Sequence, residues 1–186
     1  MTIDELIQDA TRRMDRSVES AHEQFNSLRT GRASPGLLDR IHIDYYGTAT
    51  PLKQLATINA PEPRLLTVQP FDPSSLPTIE RAIQESDLGL TPSNDGKIIR
   101  LPIPQLTEER RKELVKVARQ MAEDGRVAVR NVRRDVIHHL KELVDDGDVG
   151  SDEEHRAEER VQKLTDEHTH RIDDLLKRKE EEIMEV

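Results

Sequence analysis

Four closely spaced arginines carry the clearest chemistry in this sequence. Arg126, Arg130, Arg133 and Arg134 lie within nine residues that contain no acidic side chain. The arginine guanidinium is a planar fork of N–H donors that pairs with phosphate and with base edges. On a helix the first three forks point in one direction, because they are spaced at i, i+4 and i+7. The pattern predicts a surface for RNA or another phosphate; the alternative is an ordinary solvated helix face.

These arginines belong to a predicted helix over residues 107–144 that has two different sides. Its apolar residues recur at steps of three and four, so they stack on one side. They are Leu114, Ala118, Met121, Gly125, Val129, Val132, Val136, Leu140 and Leu143. The opposite side is basic: Lys112, Lys116 and Arg119 extend the arginines, with Glu123 as the one acid among them.

The charge of this helix is opposite in sign to that of the chain. Residues 110–141 contain ten Lys/Arg and four Asp/Glu, a balance of +6, whereas the whole chain has a net charge of −9. The rest of the surface therefore repels a polyanion. Any nucleic-acid binding must be confined to the basic side of this helix.

Further cations lie at two junctions of the chain. Arg29 and Arg32 adjoin a Gly and Pro turn, and the turn does not account for the arginines. Arg110 and Arg111 lie at the start of the long helix, where the helix dipole is already positive. A binding role would offset the unfavourable interaction of these two cations with the helix dipole. The alternative is that the two preceding glutamates neutralise the two arginines. The predicted RNA-binding residues are Arg29, Arg32, Arg110, Arg111, Arg119, Arg126, Arg130, Arg133 and Arg134.

Composition argues against an enzyme or a metalloprotein. There is no cysteine, so disulfides, thiolate metal sites and cysteine nucleophiles are excluded. Neither G-x-x-x-x-G-K nor G-x-G-x-x-G occurs. The histidines lack carboxylate partners at metal-ligand spacing, and His168 falls on an apolar helix stripe, where packing explains it. We expect no active site, no metal and no cofactor.

The sequence also lacks membrane and export signals. No apolar run approaches the length needed to span a bilayer, and the N-terminus has no basic and apolar leader. We expect a soluble cytoplasmic protein.

Two further long helices are predicted at the ends of the chain. Thr2 and Glu5 form a capping box that opens the first helix, which should stop near Thr30 because a glycine follows. Ser151 and Glu154 form a second capping box that opens the last helix. Its apolar positions are Ala157, Val161, Leu164, His168, Ile172, Leu175 and Ile183.

The middle of the chain has a different character. All ten prolines and both tyrosines lie between residues 35 and 104, so no long helix can form there. Short β-like runs occur at 41–46, 65–69 and 98–101, and residues 76–86 have helical spacing. This region predicts a small α+β module.

Because one long helix precedes this module and two follow it, the predicted helical bundle is discontinuous in sequence. We expect an α+β fold: an elongated three-helix bundle of residues 1–30 and 106–186, with a small domain of residues 31–105 inserted. Two linkers permit hinge movement while limiting twist. The predicted hinge residues are Thr30, Gly31, Arg32, Ala33 and Ser34 in the first linker, and Pro102, Ile103, Pro104 and Gln105 in the second.

Five stretches together resemble the bacterial ribosome recycling factor family, in the family's order and along nearly the whole chain. They are residues 30–35 (TGRASP), 45–47 (YYG), 86–90 (SDLGL), 106–111 (LTEERR) and 127–134 (VAVRNVRR). The resemblance implies a three-helix bundle with a small β/α/β domain, arranged in an L shape like that of tRNA.

The resemblance also implies a function. Members bind the ribosome after termination through large-subunit ribosomal RNA and, with elongation factor G and GTP hydrolysis by that partner, separate the subunits. The arginine of the family's V-R-N-V-R-R motif that contacts RNA corresponds to Arg133, with Arg130 and Arg126 beside it. Arg29 and Arg32 correspond to the arginines around the G-R-A-S-P motif. This chain is more acidic than the common family pattern at residues 145–154 and 180–182.

Two other functions fit parts of the sequence. A coiled-coil adaptor would bind a partner helix through an exposed apolar stripe and would oligomerise, whereas the recycling function predicts a monomer. An enzyme built on the inserted module would need convergent polar groups in a pocket. The Pro-rich insert shows no such cluster, so the enzyme ranks last.

Overall fold

The computed structural model of the chain describes residues 1–185. They form two compact units, one of Met1–Leu28 with Glu109–Glu185 and the other of Arg29–Glu108. No helix among these residues is long and apolar enough to cross a membrane.

Three long helices build the first unit. They are α1 (Ile3–Asn26), α3 (Glu108–Asp145) and α4 (Ser151–Met184), and the shorter helix α2 (Leu76–Glu85) belongs to the second unit. The predicted capping box is present on α1: the Thr2 side chain accepts from the Glu5 backbone, and the Glu5 carboxylate accepts from the Thr2 N–H at 2.7 Å. The helix ends four residues before the predicted Thr30. Ser27 ends it, because the Ser27 hydroxyl and N–H both bond to carbonyls of the last turn.

The predicted capping box of the last helix is wrong. The N-cap is Gly150, in an extended conformation, and Ser151 is already the first helical residue, so its side chain caps nothing. The preceding turn explains the shift. Gly147 has φ +81°, and the N–H groups of Asp148 and Val149 both bond to the Leu143 carbonyl.

The three helices bury their apolar stripes against one another. α1 contributes Leu6, Ile7, Ala10, Met14, Val18, Ala21 and Phe25. On α3 the predicted stripe is corrected at two positions: Met121 and Leu143 are only half-buried, and Ala122 is buried instead. On α4, Leu164 and Leu175 are half-buried while Thr165 and Lys179 are buried.

Gly125 of α3 lies close to both other long helices. A Cβ at this position would lie 3.1 Å from Ile172 Cδ1 and 3.2 Å from Ala21 Cβ. α1 and α4 therefore both pack against the α3 backbone here. A glycine inside a helix costs about 1 kcal/mol relative to alanine, and this close packing explains its presence.

The second unit contains two antiparallel sheets and α2 (Leu76–Glu85). β1 (His42–Tyr45) and β2 (Thr48–Pro51) form a hairpin. β3 (Ala56–Glu62), β4 (Leu65–Pro70), β5 (Ser93–Asn94) and β6 (Ile99–Pro102) form a four-stranded sheet in the order β3-β4-β6-β5. The sequence predicted β1, β4, β6 and α2 but missed β2, β3 and β5.

One core holds this unit together. α2 buries Leu76, Ile79 and Ile83, and the sheet buries Leu66, Val68, Ile99 and Leu101 in the same cluster. Both linkers are hydrogen-bonded to this unit. The Ala33 N–H donates to the Pro63 carbonyl at 2.6 Å, and the Ile103 N–H donates to the Arg64 carbonyl at 2.8 Å.

Candidate RNA-binding surface

The predicted arginine stripe lies on the flank of α3 that faces α4. Arg119 contacts Glu180 at 2.8 Å, Arg126 contacts Asp173 at 2.6 Å, and Arg133 donates to the Gln162 side chain at 2.8 Å. The spacing of these arginines predicts a position on the side of α3 opposite the core, with almost no acids nearby. The correction is that α4 supplies acids from outside the local sequence. We call Arg119, Arg126, Arg130, Arg133 and Arg134 the α3 arginine flank.

Two of these arginines form ion pairs with carboxylates of the chain itself. Arg126, whose side chain is 21% exposed, contacts Glu123 at 3.1 Å in addition to Asp173, and Arg130 contacts the other oxygen of Glu123 at 3.1 Å. Hydrogen bonds from Arg126 and then Arg130 lower the pKa of Glu123. Within this network the cations are already balanced, so they offer little net charge to a phosphate.

Arg133 and Arg134 keep their charge. Arg133 bonds to the neutral amide of Gln162, and its buried Nε has no acceptor within residues 1–185. Gln162 itself donates to Asp166. Arg134 is exposed and pairs with no carboxylate in the described chain. An anion that approaches this end of the flank meets two uncompensated guanidinium groups.

The remaining predicted arginines are distributed over both units. Arg29 is in the second unit, where it donates to the Leu88 carbonyl at 2.5 Å, and Arg32 is an exposed residue of the same unit. Arg110 contacts Glu113 at 2.9 Å at the start of α3, while Arg111 is half-buried there. Within the first unit, the α3 arginine flank groups five of the predicted arginines along one helix.

Sequence reasoning missed the α4 partners Gln162, Asp173 and Glu180. A signal for two of them was present: Asp173 and Glu180 are seven residues apart, as are Arg119 and Arg126. Seven residues make about two helical turns, so each of these two pairs lies on one side of its helix. When the two helices run antiparallel, the first arginine can face the second acid and the second arginine the first acid. The local pattern does not say which two helices face each other.

No metal centre is formed within residues 1–185, where no group of three or more His, Asp or Glu side chains is arranged to hold an ion. The predicted packing role of His168 agrees with its burial. One ring nitrogen lies 2.8 Å from Asp15 Oδ1 of α1, and the other lies 2.6 Å from the Leu164 carbonyl oxygen. Arg171 also contacts Asp15 at 2.9 Å. This network joins α4 to α1.

We expect Asp15→Asn to destabilise the first unit by about 1 kcal/mol at neutral pH, since Asp15 and Arg171 are half exposed and solvent weakens their pair. Hydrogen bonds from His168 and Arg171 lower the pKa of Asp15 below 3.8. The carboxylate's contribution is thus complete above pH 3.8 and is lost as the pH falls through the lowered value. Urea denaturation should show the gap between variant and wild type closing below pH 3.8. Asp174→Asn, which affects only an exposed contact to His170 at 3.6 Å, should change little.

Comparison with known proteins decides the family. The family model described as "Ribosome recycling factor" matches residues 21–184. The chain belongs to the ribosome recycling factor family. The resemblance seen in the sequence motifs is therefore confirmed.

Relatives match nearly the whole length of this chain. It is 59% identical to the ribosome-recycling factor of Rubrobacter xylanophilus over 180 residues, which cover 97% of each protein. It is 50% identical to that of Mycolicibacterium vanbaalenii over 184 residues, covering 99% of this chain and 100% of the relative.

Solved structures agree with the fold of this ribosome recycling factor family member. A solution structure of a ribosome recycling factor superposes with a TM-score of 0.79 at 41% identity, covering 100% of this chain and 99% of the other. A Thermus thermophilus ribosome recycling factor, described together with Escherichia coli elongation factor G bound to the E. coli post-termination complex, gives a TM-score of 0.69 at 48% identity, covering 99% and 100%. The predicted fold class, a three-helix bundle with an inserted α+β domain, is confirmed.

Proposed function

We propose that this chain is a ribosome recycling factor that binds the post-termination ribosome through large-subunit ribosomal RNA. With elongation factor G and GTP it promotes dissociation of the subunits for a new round of translation. The T. thermophilus relative is described on that complex with that factor. The chain itself is not an enzyme, because its partner hydrolyses the GTP. It acts in the cytoplasm as a monomer without a cofactor.

The α3 arginine flank is the RNA-binding surface, and its members have different roles. Arg133 and Arg134 contact phosphate directly, since neither faces a carboxylate within residues 1–185. Arg126 and Arg130 hold the flank in place through Glu123 and Asp173. Arg119, which is exposed and has one half-buried acid partner, is a secondary contact. Arg29, Arg32, Arg110 and Arg111 extend the contact beyond the flank.

Hinge movement between the units couples binding to dissociation. The predicted hinge includes Ala33 and Ile103, which are buried and bonded to the second unit. This anchoring supports a pivot nearer the unit boundaries, at residues 28–30 and 106–109. The outer linker residues Gly31 and Gln105 then transmit the movement of the small domain.

Light scattering by purified ribosomes tests the function. Post-termination complexes mixed with elongation factor G and GTP should lose scattering when this chain is added, because the subunits separate. The same mixture without GTP is the control and should not change. Scattering that stays constant with chain, factor and GTP all present would refute the recycling function.

Salt dependence tests the mode of binding separately. Each phosphate contact releases counterions, so affinity should fall steeply with ionic strength, with a logarithmic slope of about −0.7 to −0.9 per contact. Pelleting with large subunits over a salt series measures this slope. An affinity independent of salt would exclude the arginine flank as the main contact.

Glu180→Gln should tighten binding to large subunits about threefold at low salt. The change removes the carboxylate that contacts Arg119 at 2.8 Å, and an exposed pair of this kind is worth up to about 1 kcal/mol. Glu181→Gln is the matched control, since it removes the same charge from a neighbour that pairs with no arginine within residues 1–185. Equal tightening by both variants would show that net charge, not the release of Arg119, is responsible.

A further inference from the structure

The ion pairs between α3 and α4 follow a regular register. Arg119 contacts Glu180 at 2.8 Å, and Arg126 contacts Asp173 at 2.6 Å. A step of seven residues up α3 is therefore matched by a step of seven residues down α4. Antiparallel helices produce this pattern, because seven residues make about two turns. The next arginine along α3 should therefore meet the next acid along α4.

The third arginine departs from this register. One more step of seven residues pairs Arg133 with Asp166. In the structure, however, Arg133 Nη1 donates to the Gln162 side-chain oxygen at 2.8 Å, and Gln162 Nε2 donates to Asp166 Oδ1 at 2.9 Å. Gln162, one turn away from Asp166 on α4, thus takes the place of the carboxylate that the register assigns to Arg133.

This exchange of partners decides what charge Arg133 presents. The oxygen of an amide accepts a hydrogen bond and leaves the cation its charge, whereas a carboxylate forms an ion pair, as Asp173 does with Arg126. The bond to Asp166 also fixes the Gln162 amide, so that its oxygen stays turned toward Arg133. Gln162 therefore holds the guanidinium group in place and occupies the acid that would neutralise it.

We propose that Gln162 is a positioning residue of the RNA-binding surface, which holds Arg133 for a phosphate group of RNA and keeps Asp166 from pairing with it. The proposal rests on the proposed function. It explains how one arginine of the α3 arginine flank stays without a carboxylate partner beside a helix that supplies acids to Arg119 and Arg126.

Gln162→Ala should weaken binding to large ribosomal subunits about fivefold at low salt. Arg133 is then free to pair with Asp166 and must leave that exposed pair to bind a phosphate, which costs up to about 1 kcal/mol. The loss should shrink as salt is raised, because salt also screens the competing pair. Pelleting with large subunits over a salt series measures both effects. A purely structural defect would not give a loss that disappears with salt.

A second substitution identifies the competing group. Adding Asp166→Asn to Gln162→Ala should restore the wild-type affinity, because Arg133 then faces no carboxylate at this level. Adding Asp174→Asn instead removes an equal charge from an exposed contact with His170. This second combination should leave the affinity low.

Gln120→Ala is the matched control for the loss of the glutamine itself. Gln120 makes the same kind of bond, to Asp124 four residues along exposed α3 at 2.9 Å, and no arginine within residues 1–185 donates to its oxygen. Its affinity for large subunits should equal that of the wild type. Both alanine variants should keep the wild-type midpoint in urea, since alanine favours a helix.

Two results would overturn the proposal. One is a Gln162→Ala variant with wild-type affinity at low salt. The other is a loss of affinity that Asp166→Asn does not restore, since Asp166 would then not be the competing group. Either result leaves dissociation by the wild-type chain intact. If the wild-type chain itself fails to separate subunits, the proposed function falls, and the role of Gln162 with it.

Discussion

Replacing Arg133 with glutamate is expected to weaken binding to large ribosomal subunits by about two orders of magnitude. Arg133 is the member of the α3 arginine flank that combines partial burial with the lack of a carboxylate partner within residues 1–185. Glutamate removes a charge-assisted contact, worth roughly 1.5–3 kcal/mol, and adds repulsion from phosphate. The bundle should remain folded, because Arg133 contributes only a hydrogen bond to Gln162.

A second charge reversal, away from the flank, distinguishes the loss of the Arg133 contact from a general effect of net charge. Arg16→Glu changes the net charge equally at an exposed position of α1 that has no ion pair in the described chain. Pelleting with large subunits at fixed salt should show a small loss for Arg16→Glu and the large loss for Arg133→Glu. Far-ultraviolet circular dichroism should give the same helicity for both. Equal affinities of the two variants would remove Arg133 from the RNA-binding surface.

The long helices could be predicted because their signals are local. Apolar residues at steps of three and four identify a buried side without knowledge of its partner, and the Thr2 and Glu5 capping box fixes the start of α1. Local signals also misled the prediction at Ser151. Its side chain suits a cap, but Gly150 occupies that position because the preceding turn sets the direction of the chain.

The strands of the second unit were harder to predict because proline obscures them. Pro61 lies within β3, which is at the edge of its sheet, where a missing N–H need not remove a ladder bond. Pro51 is the last residue of β2. The two-residue β5 is too short to show alternation. Their existence depends on pairing with β1, β4 and β6, which is a property of the folded chain.

The sequence predicted only part of the candidate site, because the rest depends on contacts that form in the folded chain. The arginine types and their spacing identified the flank, and their charge indicated a phosphate partner. Which of them remain uncompensated depends on Asp173 and Glu180, which are 47 and 61 residues away from their partners Arg126 and Arg119. The distinction between Arg133 and Arg126 therefore comes from packing between α3 and α4. Charge and spacing alone rank the two arginines equally, and only the family resemblance singled out Arg133 in the sequence.

That packing depends on Gly125, and Gly125→Val is expected to destabilise the bundle by about 3 kcal/mol. The first added carbon would already lie 3.1 Å from Ile172 Cδ1 and 3.2 Å from Ala21 Cβ, so two further methyl groups force α1 and α4 away from α3. The adjacent Arg126 would then separate from Asp173, now 2.6 Å away. Ribosome binding should fall together with stability.

Gly125→Ala is the comparison that isolates packing from helix propensity. Alanine gains about 1 kcal/mol of helix propensity over glycine and needs its neighbours to move by only a few tenths of an ångström, so its stability should stay close to that of the wild type. Urea denaturation followed by circular dichroism should therefore show Gly125→Ala near the wild-type midpoint and Gly125→Val well below it. A Gly125→Val midpoint equal to that of the wild type would mean that the three helices can separate at this point without loss. The contacts of Arg126 and Arg119 with α4 would then not depend on the close packing around Gly125.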